Sequence, residues 1–265
     1  LFSGVWGISS LVGPALGGLI TDLASWRWIF YVNIPFGLVS AVMLVVFLRE
    51  ESARREHRLD ILGTITLTVA ITLLLLAVLE GSEAWGLGDS RTLALFGGAV
   101  ASLVVFFWQE RRAPEPMLPL DLFRNRLIAV ASATSAVIGT LLFTASAYVP
   151  MFAQGVLGGT AIDAGITLAP VSIGWPVAST LAGRLLLRVG YRPLIVVGSV
   201  VALSGALMLA GADAGTTRTD LMIAMLSTGT GLGFMSTPSL VSVQTAVPWS
   251  RRGVATSSQQ FFRTI

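Results

Sequence analysis

Cutting this 265-residue chain at every Asp, Glu, Arg and Lys leaves eight long uncharged stretches: 1–21, 28–48, 61–79, 92–109, 127–162, 164–183, 193–212 and 221–250. Each holds at least 18 residues. A helix rises ~1.5 Å per residue, so about 20 apolar residues cross a ~30 Å hydrocarbon core. Each stretch therefore supplies one membrane span, and a partial ninth begins near Gly253. The stretches are continuously apolar, as in Leu73-Leu74-Leu75-Leu76, and lack the two-residue alternation of a barrel strand. Helices remain, because the bilayer core offers no water to satisfy an open backbone. The expected fold is all-α, a polytopic transmembrane helical bundle. The composition agrees: 54% of the residues are hydrophobic and 12% charged, where soluble domains carry about twice that charge.

Arginine placement orients the spans. The chain has no Lys, so all 17 basic residues are Arg. Arg49, Arg54, Arg55 and Arg58 follow the second span, and Arg111, Arg112, Arg124 and Arg126 the fourth. Arg184, Arg188 and Arg192 follow the sixth, and Arg251, Arg252 and Arg263 the eighth. These fourteen share one side, against Arg27, Arg91 and Arg218 on the other, so the positive-inside rule makes the fourteen cytoplasmic and runs the first span outward. The first stretch lacks the basic start of a signal peptide and carries Gly13-Pro14 and Gly17-Gly18 in place of a cleavage site. It reads as a span, and the chain as an internal segment of a longer protein.

Several function classes lose support at this point. The Arg residues flank spans and form no stripe, so a nucleic-acid partner is not expected. With no Cys and a single His57 in the basic run Arg54-Arg55-Glu56-His57-Arg58, no metal site is expected. A membrane-embedded transferase would need acid-rich metal-diphosphate motifs on a cytoplasmic loop, and the connections 49–60 and 110–126 have none. The chain is not read as an enzyme. Thr228-Gly229-Thr230-Gly231-Leu232-Gly233 superficially resembles a dinucleotide fingerprint, but no strand precedes it; it reads as close helix packing.

The outer connections, such as 82–91 and 211–220, are short. The longest cytoplasmic one carries Pro114, Pro116 and Pro119, whose fixed φ favours an extended, semi-rigid linker. The expected division is 1–48 as the last two helices of an N-terminal bundle and 49–110 as a loop with two inserted helices. Residues 111–126 are then a linker, and 127–265 an incomplete C-terminal bundle.

The first span holds Ser9-x3-Gly13-Pro14-x2-Gly17-Gly18, where the proline frees a carbonyl and bends the helix while the small residues admit a neighbour. From the residues alone this is a packing kink or a hinge. The stretch GPALGGLITDLASWRWIFYVNIPFG resembles the antiporter motif of drug-exporting major facilitator proteins, with Ser9 where the family usually has glycine. Gly183-Arg184-Leu185-Leu186-Leu187-Arg188-Val189-Gly190-Tyr191-Arg192, in the loop expected after the sixth span, resembles that superfamily's cytoplasmic gating motif. Leu187 replaces its usual acid. Tyr148-Val149-Pro150-Met151-Phe152-Ala153-Gln154, Ala164-Gly165, Leu168-Ala169-Pro170 and Arg252-Gly253-Val254-Ala255 look like the fourteen-helix drug:proton antiporter branch, from about its fifth to its thirteenth helix.

The resemblance implies a multi-pass plasma-membrane transporter that exports hydrophobic or cationic drugs against a proton gradient, without a cofactor, by alternating access. A natural product, siderophore or other metabolite is the alternative cargo; a non-transporting receptor has the weakest support. The implied partners are a small-molecule substrate and the lipid bilayer, with a monomer expected. The implied motif residues are Ser9, Gly13, Pro14, Gly17 and Gly18, and Gly183, Arg188, Gly190 and Arg192. Asn33, Gln154, Gln244, Gln259 and Gln260 are polar candidates for the cavity or for bonds between helices. A coupling carboxylate is expected in helices preceding this chain, because Asp22, Asp60, Glu80, Glu83, Glu110 and Asp163 all lie near span ends. The orientation is checked in the full-length transporter with single cysteines at Ser52 and Ser82. An impermeant maleimide on intact cells should label position 82 and spare position 52; the reverse pattern overturns the topology.

Overall fold

The structure is a computed structural model that describes residues 13, 16–21, 23–47, 60–113 and 116–265. Ser9, Pro14, Asp22, Ser52, His57 and most of the first expected span lie outside those residues. Residues 16–21 are helical. Nine helices follow among the described residues: α1 Arg27–Tyr31, α2 Asn33–Phe47, α3 Ile61–Glu83, α4 Ser90–Glu110, α5 Arg126–Gly155, α6 Ala161–Val189, α7 Tyr191–Ala210, α8 Arg218–Thr245 and α9 Arg252–Thr264. No strand occurs among them. Six spans are long and apolar enough to cross a membrane, with α1 and α2 together forming the first of these. The chain is a multi-pass, all-helical membrane bundle.

Helix starts are written in short polar sequences. Thr160 and Asp163 form a capping box at the start of α6, and Thr217 and Asp220 form another at the start of α8. Asp60 caps α3 and Asn125 caps α5, each accepting from a first-turn N–H. Between α6 and α7 stands a single residue, Gly190, at φ +79°, a left-handed geometry that only glycine adopts without strain. The gating-like stretch is thus no loop. Residues 183–189 are the last turns of α6 and Tyr191-Arg192 the first of α7. The charge-based boundary failed because Arg184 and Arg188 continue the helix beyond the apolar core, where long cationic side chains reach water.

The linker also departs from expectation. It is not extended throughout: Leu120–Arg124 forms a 3₁₀ turn, and Leu118 and Leu122 are buried. Buried Glu110, at the end of α4, accepts a hydrogen bond from the Leu118 N–H. Leu122 packs with Ile128, Ala131, Val243 and Ala255, so the linker seals the base of the α5–α8–α9 group. Helices α3 and α4 form a hairpin joined at its base by Gln109 Nε2 donating to Asp60 Oδ1 at 3.2 Å.

The remaining helices build one bundle around α8. Lipid tails are as apolar as leucine, so helices associate in a bilayer by close packing and interhelical bonds more than by the hydrophobic effect. α8 meets α6 and α7 through glycines on two faces. A Cβ on Gly229 would lie 2.5 Å from Val171 O, and one on Gly233 2.5 Å from Trp175 O, both on α6. A Cβ on Gly231 would overlap the Ala202 backbone of α7. The glycine run in the eighth span is therefore a packing surface on both neighbours, as the sequence suggested. Its small residues keep α8 too weakly apolar to count among the six spans, although 28 residues would cross a bilayer. Gly233→Leu in the full-length transporter should cost at least ~1–3 kcal/mol by overpacking and deplete monodisperse protein. Gly97→Ala, where no atom lies within 4 Å, should change little. Equal melting temperatures for the two variants in detergent would contradict this packing.

Candidate functional site

Where α5, α6, α8 and α9 meet, they border an open-sided cavity of about 420 Å³, whose lining joins the polar Ser135, Ser236, Gln259, Gln260 and Arg263 to apolar residues such as Ile138 and Leu240. Its depth follows from the helix register. Ser135, Ser236 and Arg263 stand nine, nine and eleven residues from Arg126, Thr245 and Arg252, the helix ends assigned to the cytoplasm. At ~1.5 Å per residue this is roughly 14–16 Å along each helix. Trp175 stands fourteen residues from either end of α6, so the cavity reaches the middle of that helix, the level at which transporter folds place their substrate sites.

The α6–α8 wall is held by its own bonds. Trp175 Nε1 donates to Ser236 Oγ at 3.1 Å, and Ser236 Oγ donates to Gly233 O at 3.3 Å. Ser179 Oγ lies 3.4 Å from Ser236 Oγ and 3.4 Å from Gly233 O. Behind this wall Trp175 packs with Ile138, Ala202, Leu232 and Met235. Pro176 lines the cavity, and buried Pro238 sits close by in sequence; each removes one i→i−4 bond from its helix. On the α9 side Gln259 is 3% exposed, yet its Oε1 has no hydrogen-bond partner. A buried polar atom left unsatisfied is costly unless something completes it.

The sequence candidates are distributed unevenly. Gln259 and Gln260 line the cavity. Gln244 donates to Thr256 at 3.4 Å, joining α8 to α9. Exposed Gln154 donates to Pro150 O within its own helix, and exposed Asn33 donates to Ile29 O at 2.8 Å. Of the antiporter-like glycines, Gly18 touches another span: a Cβ there would lie 3.1 Å from Ala161 O at the start of α6. Gly13 and Gly17 would meet nothing within 4 Å. Arg188 and Arg192 are exposed at the α6–α7 junction.

Arg263 was counted with the cytoplasmic arginines from sequence, and this is corrected: it lies three turns inside α9, at the cavity. Thirteen of the fourteen remain for the orientation argument. Trp175, Ser135, Ser179 and Ser236 were not singled out, since a lone Ser or Trp in an apolar stretch carries no local signal. The spacing of Gln259-Gln260 and Arg263, i to i+3 and i+4 on one face, was the available clue for α9.

The cavity's lining contains no Asp, Glu or His, and no metal-holding group of three His, Cys, Asp or Glu occurs among the described residues. It offers hydroxyls, amides, an indole and one guanidinium, a set suited to binding a small polar-apolar molecule. Residues 1–265 match the family model of the Major Facilitator Superfamily. "Multidrug transporter protein MdtP" of Bacillus subtilis is 31% identical over 265 residues, which are 100% of this chain and 49% of that protein. "Multidrug resistance protein 3" of the same organism is 32% identical, with 100% and 52% covered. "Aspyridones efflux protein" of Neocamarosporium betae is 30% identical over 278 residues, with 99% and 49% covered. The chain spans about half the length of the curated relatives it matches. With its helical bundle and mid-helix cavity, it belongs to the Major Facilitator Superfamily, a family of membrane transporters and not of enzymes.

Proposed function

We propose that the intact transporter containing this chain exports hydrophobic, often cationic drugs and related small molecules in exchange for protons, with the proton gradient as its energy source and no cofactor. The single observation that carries this reading is the partly polar cavity at mid-helix. The multidrug names of the relatives point to drugs as cargo. A natural-product cargo is the second reading, favoured by the aspyridones efflux protein among the relatives. Both cargoes use one scaffold and differ in what the lining accepts. Reconstituted full-length protein should accumulate ethidium in vesicles with an acidic lumen and release it when nigericin collapses the gradient. Accumulation that ignores nigericin defeats proton coupling, and no accumulation defeats drug export.

Alternating access needs a seal on each side of the cavity in turn. Gly18 resting on the Ala161 backbone supports a role for the antiporter-like stretch as part of the outer seal, with Gly18 and not Gly17 at the contact. The first turn of α6 is itself tied down, since Asp163 pairs with Arg218 of α8 at 2.7 Å. The Arg188 and Arg192 pair stands at the opposite end, consistent with a place in the cytoplasmic gate. A side chain at position 18 should force the two helices apart; overpacking of ~1–3 kcal/mol corresponds to roughly 5- to 150-fold in a conformational equilibrium. Gly18→Leu should therefore lower efflux per molecule of monodisperse protein well below that of Gly17→Leu. Equal normalised efflux in the two variants removes Gly18 from the seal.

A further inference from the structure

Arg263 is the one ionisable side chain lining the cavity, and it stands eleven residues beyond Arg252 at the start of α9. Its position is fixed by its backbone, because Gly139 of α5 leaves room for the Arg263 carbonyl that any Cβ would displace. The backbone of α9 is thereby held against α5, within one side-chain length of the cavity wall. It forms no ion pair or hydrogen bond through its side chain with any described residue. One turn earlier, buried Gln259 presents an amide oxygen that also lacks a partner. A charge at this depth is costly without a counter-charge, and arginine cannot escape the cost by losing its proton. The planar five-donor fork of a guanidinium matches a carboxylate in bidentate geometry, which a point charge does not.

The geometry points to Arg263 as the cavity's anchor for a carboxylate, with the Gln259 amide completing the site by bonding a neighbouring polar group of the same ligand. This rests on the reading of the cavity as a substrate site. It keeps the hydrophobic cargo of that reading but departs from it on charge, because a positive charge with no acid beside it in the lining favours an anionic or zwitterionic amphiphile over a bare cation. The carboxylate has two sources: a substrate, or an acidic side chain from the part of the transporter outside this chain. Either one neutralises the guanidinium.

The test uses the purified full-length transporter with two probes, nalidixate as a lipophilic carboxylate and tetraphenylphosphonium as a lipophilic cation, bound to wild type, Arg263→Gln and Arg263→Lys. With a substrate carboxylate, Arg263→Gln should weaken nalidixate at least tenfold and tighten tetraphenylphosphonium, the pH midpoint of cation binding staying in place. With a protein carboxylate, losing the guanidinium removes what favours its ionised form. The pH midpoint of cation binding then rises by about one unit, while nalidixate weakens less than threefold. Arg263→Lys keeps the charge but loses the fork, so it should fall between wild type and Gln, and it carries the test should the Gln variant fail to fold. Nalidixate affinity within threefold of wild type and an unmoved midpoint, in whichever variant folds, overturn the assignment. A wild-type protein that binds neither probe refutes the transport reading itself, a result distinct from that one.

Discussion

The backbone contact of α8 with α6 and α7 is the constraint on which the rest of the bundle depends. Side chains would hold these helices apart, and in lipid there is little hydrophobic gain to press them together. Glycines at 229, 231 and 233 let α8 touch Val171 and Trp175 on one side and Ala202 on the other. The polar wall of the cavity is built on this approach: Gly233 O accepts from Ser236, which accepts from the Trp175 indole. Only because the two backbones nearly touch can side chains as short as serine span the gap. The cavity's rigidity on this side is therefore a property of the glycine surface, and the hydroxyls are its consequence.

The facing wall is set by a different close approach. Gly139 admits the α9 backbone at Arg263, so α9 enters the bundle at the level of the cavity and turns Gln259, Gln260 and Arg263 toward it. Ala255 and the linker residue Leu122 anchor the lower end of α9 in one apolar cluster. Arg251 donates to Asp121 across two 3₁₀ turns at 2.8 Å, an exposed pair worth at most about 1 kcal/mol by itself. Position thus comes from packing, and the ion pair trims it.

Most of the architecture could be read from charge and apolarity, because the bilayer penalises every other arrangement. Expected runs such as 193–212 and 61–79 coincide with α7 and α3 to within a few residues. The errors over charged residues share one cause. Splitting at charged residues assumes that a charge ends a span, but Arg184 and Arg188 remain helical beyond the core and Arg263 lies inside it. The linker was misjudged because prolines restrict φ without forbidding a 3₁₀ turn, and nothing local announced that Glu110 would accept the Leu118 N–H. Gln259 could be named from sequence as a polar residue in a span. Its burial without a partner depends on four helices converging, and no single segment encodes that.

Several acids of the described chain stand at helix or linker ends and have a local task there. Asp163 caps α6 and pairs with Arg218, Asp220 caps α8, Asp60 caps α3, and Glu110 holds the linker. None of them lines the cavity. This half of the transporter thus contributes shape, hydrogen bonding and one fixed positive charge to the site. In the anchoring role proposed for Arg263, the balancing negative charge arrives with the ligand or from a part of the transporter outside this chain, since no acid among the described residues lines the cavity.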